Sequence, residues 1–381
     1  MSTKVTRVRS RRDVRDFCRL PEVLHARDPR WVGPPSSDIR RFISDGHNPF
    51  HQEATIEHFL ARDDIGTPVG RIAVVLHPAH MRRHGNKAFF GLFESIDDVN
   101  VAKALLAEVE AFAEQRGFCT VQGPCSYTMT QEAGLLVDGF EGPPVVLQPY
   151  NPPYYASLMK ACGYDVAFSM STFRVDRDVQ SQTIAGVTER GRLAGERLGV
   201  TVRSLDPAHF DRDLAVIRCC YNIAFASHPE TVAISPAVFS DQAGELKPVV
   251  DPRLLRIIEK GGRAVGFTVA VPNVYEILAP SRGRLTLGLL LQWGKRLRSI
   301  RSQVVIMIGA EPEASGDRAQ SEAFGLGSCL SAEIARSLNE GWYDTVHTTW
   351  VHERNWQANM LMRAIGAQKS KQYAVFERSV A

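Results

Sequence analysis

Pro68-Val69-Gly70-Arg71-Ile72-Ala73-Val74-Val75 reads as a turn entering a strand, and Arg263-Ala264-Val265-Gly266-Phe267-Thr268-Val269-Ala270-Val271 repeats that reading in the other half of the chain. Each copy continues through a strand, a long amphipathic helix and another strand. An asparagine-led helix ending in glycine follows: Asn151-Pro152-Pro153-Tyr154-Tyr155 to Gly163-Tyr164, and Asn355-Trp356-Gln357-Ala358 to Gly366-Ala367. A closing strand completes each copy, over 168–175 and 372–378. Self-similarity in a fixed order identifies two tandem copies of one domain.

The 381 residues suffice for two domains, each large enough to bury a core. Hydrophobic content of 44% and charged content of 23% are those of an ordinary globular chain. Forty-five basic against 42 acidic residues leave a net charge of +3, too small to mark a nucleic-acid-binding surface. The seven cysteines show no CxxC spacing, which excludes a zinc knuckle or a redox pair and leaves reduced thiols in a cytoplasmic protein. The basic start has no apolar stretch behind it, and the longest apolar run, 285–293, is too short for a bilayer. Neither a nucleic acid nor a membrane is expected as a partner, and no metal-ligand spacing is present.

The first half predicts a strand near 5–9, a helix over 13–25, an irregular loop at 28–35, strands at 57–62, 70–76 and 88–94, and a helix over 99–116. Asp97 and Asp98 are placed to cap that last helix, and Gly117 to stop it. The second half predicts a strand at 200–204, a helix over 207–221, an irregular stretch to 251, a short helix over 252–260 and strands within 263–271. Strands alternating with single helices give an α/β fold with a mixed, twisted sheet flanked by helices in each copy. The polar segment 176–182 is the expected boundary, dividing the chain into 1–180 and 181–381.

With these pieces in place, the chain resembles the tandem members of the GNAT acyltransferase superfamily. The resemblance rests on His47-Asn48-Pro49-Phe50, Phe89-Phe90-Gly91-Leu92-Phe93-Glu94, Gly134-Leu135-Leu136-Val137-Asp138-Gly139-Phe140 and Tyr150-Asn151-Pro152-Pro153-Tyr154-Tyr155 in the first half. In the second it rests on Trp350-Val351-His352-Glu353-Arg354-Asn355 and Lys371-Gln372-Tyr373. It implies a V-shaped cleft between the fourth and fifth strands, here 304–311 and 343–350, in which a pantetheine arm lies like an added strand. Ile308, Gly309 and Ala310 would then line the arm, with backbone N–H groups near Gly309 and Ala310 facing the oxyanion. Phe324-Gly325-Leu326-Gly327-Ser328 would be the glycine-rich phosphate turn before a helix over 329–338, and Asn355 would join the cofactor site.

Two departures bear on the donor. Glu322 stands where the family has a basic or amide residue, and the loop 312–321 is long. Glu311, Glu313, Asp317 and Glu322 face Arg318 alone, an acidic rim that disfavours the multiply charged end of coenzyme A relative to a phosphopantetheine arm on a carrier protein. Arg282, Arg284, Lys295, Arg296, Arg298 and Arg301 form a basic stretch, of which Arg296, Arg298 and Arg301 are the expected carrier-docking residues. The first half has no such turn at Glu94-Ser95-Ile96-Asp97-Asp98 and is expected to be a degenerate, supporting copy, with Trp31, Tyr127, Tyr154 and Tyr155 as candidate walls of an acceptor pocket.

The family's acid tyrosine falls on Met362, which cannot donate a proton. Candidate bases are Glu311, His352 and Glu353; imidazole, with an ordinary pKa of about 6.5, suits an ammonium acceptor. His228 and His347 are weaker candidates. The expectation is an N-acyltransferase with no tightly bound cofactor, using an acyl-pantetheine thioester on an acyl carrier protein or coenzyme A to acylate the amine of a small molecule, in specialised metabolism. The alternatives are a non-catalytic metabolite- or thioester-binding module, and an aminoacyl-tRNA-dependent transferase, against which the near-neutral charge counts.

Overall fold

The computed structural model describes residues 3–226, 228, 230–311 and 316–380. Its first half contains β1 (Lys4–Arg7), α1 (Arg11–Leu24), α2 (Ser36–Phe42), β2 (Thr55–Arg62), β3 (Pro68–Leu76), α3 (Pro78–His84) and β4 (Lys87–Ser95). It continues with α4 (Val99–Glu114), β5 (Thr120–Gly123), β6 (Leu135–Asp138), α5 (Tyr154–Ala161) and β7 (Asp165–Asp176). The second half opens with α6 (Arg177–Leu198), β8 (Val200–Ser204), α7 (Phe210–Ala224), α8 (Pro236–Leu246), β9 (Leu255–Lys260), β10 (Arg263–Pro272) and α9 (Tyr275–Leu278). After α10 (Leu287–Leu291) and α11 (Trp293–Leu297) come β11 (Ser302–Ala310), α12 (Gly316–Asn339), β12 (Thr345–Thr348), β13 (Val351–His352), α13 (Trp356–Ala364) and β14 (Gln368–Ser379).

The repeated stretches are β3 and β10, each an interior strand with nearly every residue buried. In each copy four antiparallel strands lead to a fifth that is parallel to the fourth: β4 to β5, and β11 to β12. Asp98 caps α4 by accepting from Asn100 N, and Gly117, at φ 78°, lets the chain turn after it. All strands join one sheet in the order β1-β2-β3-β4-β5-β14-β7-β12-β11-β10-β9-β8, with β13 beside β7 and β6 beside β14. The closing strands are exchanged. β7 ends the first half but pairs with β12, while β14 ends the chain and pairs with β5 and β6. The apolar core follows the sheet, running from Val75 and Phe89 through Tyr373 to Ile257 and Val271 without a break between halves.

Several elements differ from the sequence reading. Residues 255–260 form strand β9, not a helix, because Leu255, Ile257 and Ile258 are buried in pairing with β8 and β10. The supposedly irregular stretch before 251 contains α8, started by Ser235, which accepts from Val238 N, and by Pro236 in the first turn. The segment 176–182, expected as the boundary, is the start of a helix: α6 begins at Arg177, with a kink at Gln180. Asn151 does not cap α5; its side chain accepts from Leu136 N at 2.7 Å and donates to Leu136 O, tying the helix entry to β6.

Helices α6 and α12 cross at Gly191. A Cβ there would lie 2.2 Å from Ala332 Cβ and 2.7 Å from Ser328 O. Alanine would gain up to about 1 kcal/mol of helix propensity but overpack a contact worth roughly 1–3 kcal/mol. Gly191→Ala is therefore expected to lower stability by about 1–2 kcal/mol in urea unfolding, and an increase would refute the close crossing.

Candidate functional site

β11 pairs with β12 only from Ser302↔Thr345 to Val305↔Thr348. Thr349 N then donates to Val305 O at 3.0 Å, and the chain turns away into β13. Beyond this point residues 306–310 keep β10 as a neighbour, but among the described residues no strand pairs with them on the other side. The expected V opens here. In the first half the corresponding opening is closed: Cys125 N donates to Phe90 O at 2.8 Å, and a Cβ on Gly91 would lie 1.8 Å from Cys125 O. Glycine is needed at 91 because backbone from the β5 side occupies that wedge.

Both fourth strands carry a bulge at the same place. In β11 one extra residue, Ile306, separates the Val269↔Met307 and Ala270↔Val305 pairs. In β4 the extra residue lies between Ala73↔Gly91 and Arg71↔Glu94, where Leu92 adopts φ 49°. A bulge re-aims side chains. Leu92 and Ile306 both reach the wall of one cavity of about 290 Å³.

That cavity lies between the halves. The second half contributes Leu255, Val269, Val271, Ile306 and Met307 from the sheet, with Phe210, Leu214, Ile217 and Phe239 from α7 and α8. The first half contributes Ile39 and Phe42 of α2, Leu92, Val146 and Leu147, and the 126–132 loop. Polar groups are few in this wall. Glu132 is the informative one: burial pushes its carboxyl above the ordinary value, the nearby Glu94 adds to this, and Arg71 opposes it. Among the described residues its carboxylate has no hydrogen-bond or ion-pair partner. Its neighbour Gln131 accepts from Trp350 Nε1 at 3.5 Å, linking the loop to the turn after β12. Glu245 at the rim is also raised, by burial and then by Asp241.

The sequence-predicted residues distribute differently. Ile308, Gly309 and Ala310 do lie on the splayed part of β11, paired with Thr268, Phe267 and Gly266. Phe324, Gly325, Leu326, Gly327 and Ser328 do not form a turn. They lie inside α12, where backbone N–H groups are engaged within the helix and unavailable to a phosphate. Gly325 instead faces α6, with a Cβ there 2.8 Å from Leu198 Cδ1. Of the four rim carboxylates, Glu322 is buried and paired with Lys260, and Glu311 pairs with Arg263 at 2.9 Å, while the Asp317 side chain lies outside the described residues. Glu313 lies outside the described residues.

His352 is buried, stacked on Phe168 at 4.5 Å and set edge-on to His228 at 5.8 Å. Burial and His228 lower its pKa, and its Nδ1 accepts from Arg354 N. It is absent from the cavity wall, and Glu353 beside it is exposed. Asn355 caps α13 through Ala358 N at 3.0 Å. Arg301 is engaged by Asp344 at 2.7 and 2.8 Å, whereas Arg296 and Arg298 are exposed. Trp31, Tyr127, Tyr154 and Tyr155 do not line the main cavity. Trp31 stacks on His25 and Tyr127 bonds His58, while the hydroxyls of Tyr154 and Tyr155 bond Ser95 O and Glu94. Sequence reasoning missed Glu132, since only its burial distinguishes it from other carboxylates, and missed the Ile306 bulge, which has no glycine to mark it.

No protein-family model matches the chain. It is 28% identical over 381 residues to the "Bacterial ceramide synthase" of Caulobacter vibrioides (strain NA1000 / CB15N), covering 98% of this chain and 96% of that protein. It is 25% identical over 378 residues to "Protein YghO" of Escherichia coli (strain K12), covering 97% and 94%. Among solved structures, a "Tandem GNAT protein from the clavulanic acid biosynthesis pathway" superposes with a TM-score of 0.54 at 14% identity, covering 100% of this chain and 99% of that one. At that identity the likeness is one of fold, and the fold is the tandem GNAT fold. Among the described residues no helix is long and apolar enough to cross a membrane.

Proposed function

We propose that this tandem GNAT fold works as an N-acyltransferase, moving an acyl group from a pantetheine thioester to the amine of an apolar small molecule. The observation that carries the reading is the apolar cavity of about 290 Å³ that meets β11 where it leaves β12 and holds the unpartnered carboxylate of Glu132. The second half, taken as 181–381, binds the thioester in the open V, with the backbone around Ile308, Gly309 and Ala310 along the arm. The first half, 1–180, closes its own V and walls the acceptor cavity.

The amine nitrogen attacks the thioester carbonyl, a C–N bond forms, the C–S bond breaks and the thiolate leaves. Glu132 takes the proton that the amine loses, and a raised pKa makes it a stronger base than an ordinary carboxylate. Proximity in the apolar cavity supplies the rest. A ceramide is a fatty-acid amide, so the name of the Caulobacter relative agrees with amide formation on a long-chain amine, and the apolar wall suits such chains.

The donor is either an acyl carrier protein or coenzyme A. The electrostatic preference for a carrier is weakened, because Glu311 and Glu322 are already paired with Arg263 and Lys260. Intact-mass spectrometry of acyl carrier protein and matching acyl-coenzyme A, incubated with long- and short-chain amines, tests the reading. Loss of acyl from one donor with a matching amide product is expected, faster with long-chain amines. Consumption of neither donor would reject catalysis.

A further inference from the structure

Between Glu276 and Glu311 the chain has no acidic residue, yet it carries Arg282, Arg284, Lys295, Arg296, Arg298 and Arg301. Against an almost balanced whole, this is a concentrated basic segment. It coincides with an apolar crest. Leu285 is 52% exposed, Leu287 74%, Leu290 51% and Leu291 80%, while Leu289 between them is buried and anchors α10. Single exposed leucines need no explanation, but four within one short segment do. Thr286 caps α10 by accepting from Leu289 N, so the helix presents these side chains in a fixed arrangement.

The cations that follow the crest in the chain are exposed, and the Arg296 guanidinium bonds only the neighbouring Gln292 side chain, at 3.3 Å, among the described residues. Lys295, Arg296 and Arg298 make no ion pair among the described residues, whereas Arg301 is held by Asp344 and Arg284 reaches Glu22 at 3.1 Å. The Arg284–Glu22 pair and the bond from Arg282 to Ala26 O set the end of α1 beside the crest, adding Val23, itself 63% exposed. The turn that precedes the segment is one residue removed from the cavity wall. Gly283, at φ 83°, packs its backbone on Gly33, where a Cβ would fall 1.9 Å from Gly33 O, and both Pro34 and Tyr275 line the cavity.

We propose that the 285–298 segment docks this protein on an anionic lipid surface, its leucines entering the acyl layer and Lys295, Arg296 and Arg298 meeting the phosphates. Apolar side chains flanked by cations are what an interfacial segment requires. An acidic carrier protein would satisfy the cations, but its charge gives no reason for four exposed leucines beside them. Docking here sets the acceptor cavity beside the membrane, although the expectation from the sequence, which considered only spanning segments, was that no membrane is involved.

Co-sedimentation of the full chain with phosphatidylcholine vesicles, with and without phosphatidylglycerol, tests this without any turnover and so stands apart from the acyl-transfer reading. Binding is expected only to the anionic vesicles and is weakened by salt. Replacing both Leu287→Ser and Leu291→Ser, highly exposed positions, is expected to weaken it roughly tenfold with the circular dichroism spectrum unchanged. Lys295→Gln with Arg296→Gln and Arg298→Gln should remove the preference for phosphatidylglycerol. Equal pelleting of the leucine variant and the parent, or no pelleting of the parent at low salt, overturns the proposal. So does binding of an acyl carrier protein through the same leucines with no vesicle binding.

Discussion

Glu94→Ala is expected to destabilise the protein by about 3–5 kcal/mol, the range for removing one partner of a buried ion pair. Glu94 lies at the end of β4 and accepts from the Tyr155 hydroxyl at 2.7 Å; His25 Nε2 stands 2.9 Å from the same oxygen and an Arg71 nitrogen 3.7 Å from the other. Arg71 is almost fully buried on β3, and it also donates to Phe17 O. Removing the carboxylate leaves that buried guanidinium without its ion-pair partner. Burial acts to raise the Glu94 pKa, but His25, Arg71 and Tyr155 outweigh it and hold the carboxyl below its ordinary value. A lowered folded pKa means stability that is complete above the unfolded value of about 4.3 and lost as pH falls through the folded one. Urea unfolding at neutral pH should show the loss, and at acid pH the difference between Glu94→Ala and the parent should shrink. Arg71→Met added to Glu94→Ala should recover part of it, since the stranded charge is then gone. A single-variant loss below about 1 kcal/mol would mean that the network behaves as a surface pair.

How far the sequence predicts this molecule depends on whether the signal is local. β3 and β10 are legible because an interior strand needs a continuous apolar run, and α4 because Asp98 and Gly117 punctuate it. The sequence of β9 reads as a helix because a short apolar run such as Leu254-Leu255-Arg256-Ile257-Ile258 has no period of its own; pairing with β8 and β10 decides it. α8 has a local signature, Ser235-Pro236, a capping residue followed by a first-turn proline, but a proline in such a stretch reads equally as irregular chain. The exchange of β7 and β14 leaves no local trace, because strand partners are chosen across the whole chain. The glycines at 325 and 327 illustrate the converse: glycine spacing resembles a phosphate turn, yet the residues lie within α12, and Gly325 abuts Leu198 of α6. Of the candidate site, the placement of Ile308, Gly309 and Ala310 on β11 was legible. The polar residue that distinguishes the cavity was not, because desolvation is a property of the assembled halves.

Glu132→Gln is expected to lower kcat by about 10²–10⁴-fold with little change in KM, the range for removing a general base. The amide keeps the shape of the side chain and most of its packing, so the loss would report the missing proton acceptor. Glu132→Asp should retain part of the activity. The pH profile gives a second readout. A base works ionised, so the parent's rate should fall as pH drops through the raised pKa of Glu132, and this limb should vanish from the residual activity of Glu132→Gln. Stability should move the opposite way. With the folded pKa raised by burial, the ionised carboxylate is less favourable in the folded protein than in the unfolded chain. Its contribution is therefore most favourable below about pH 4.3 and is lost as pH rises through the folded pKa. Glu132→Gln should then unfold at the same or a higher temperature than the parent at neutral pH, with any gain disappearing in acid. A variant that is less active and also less stable at neutral pH would point to a structural role for Glu132. One that keeps kcat within about threefold of the parent would remove Glu132 as the base, and the base would then have to be sought at the rim, where Glu245 is the other carboxylate whose pKa burial raises.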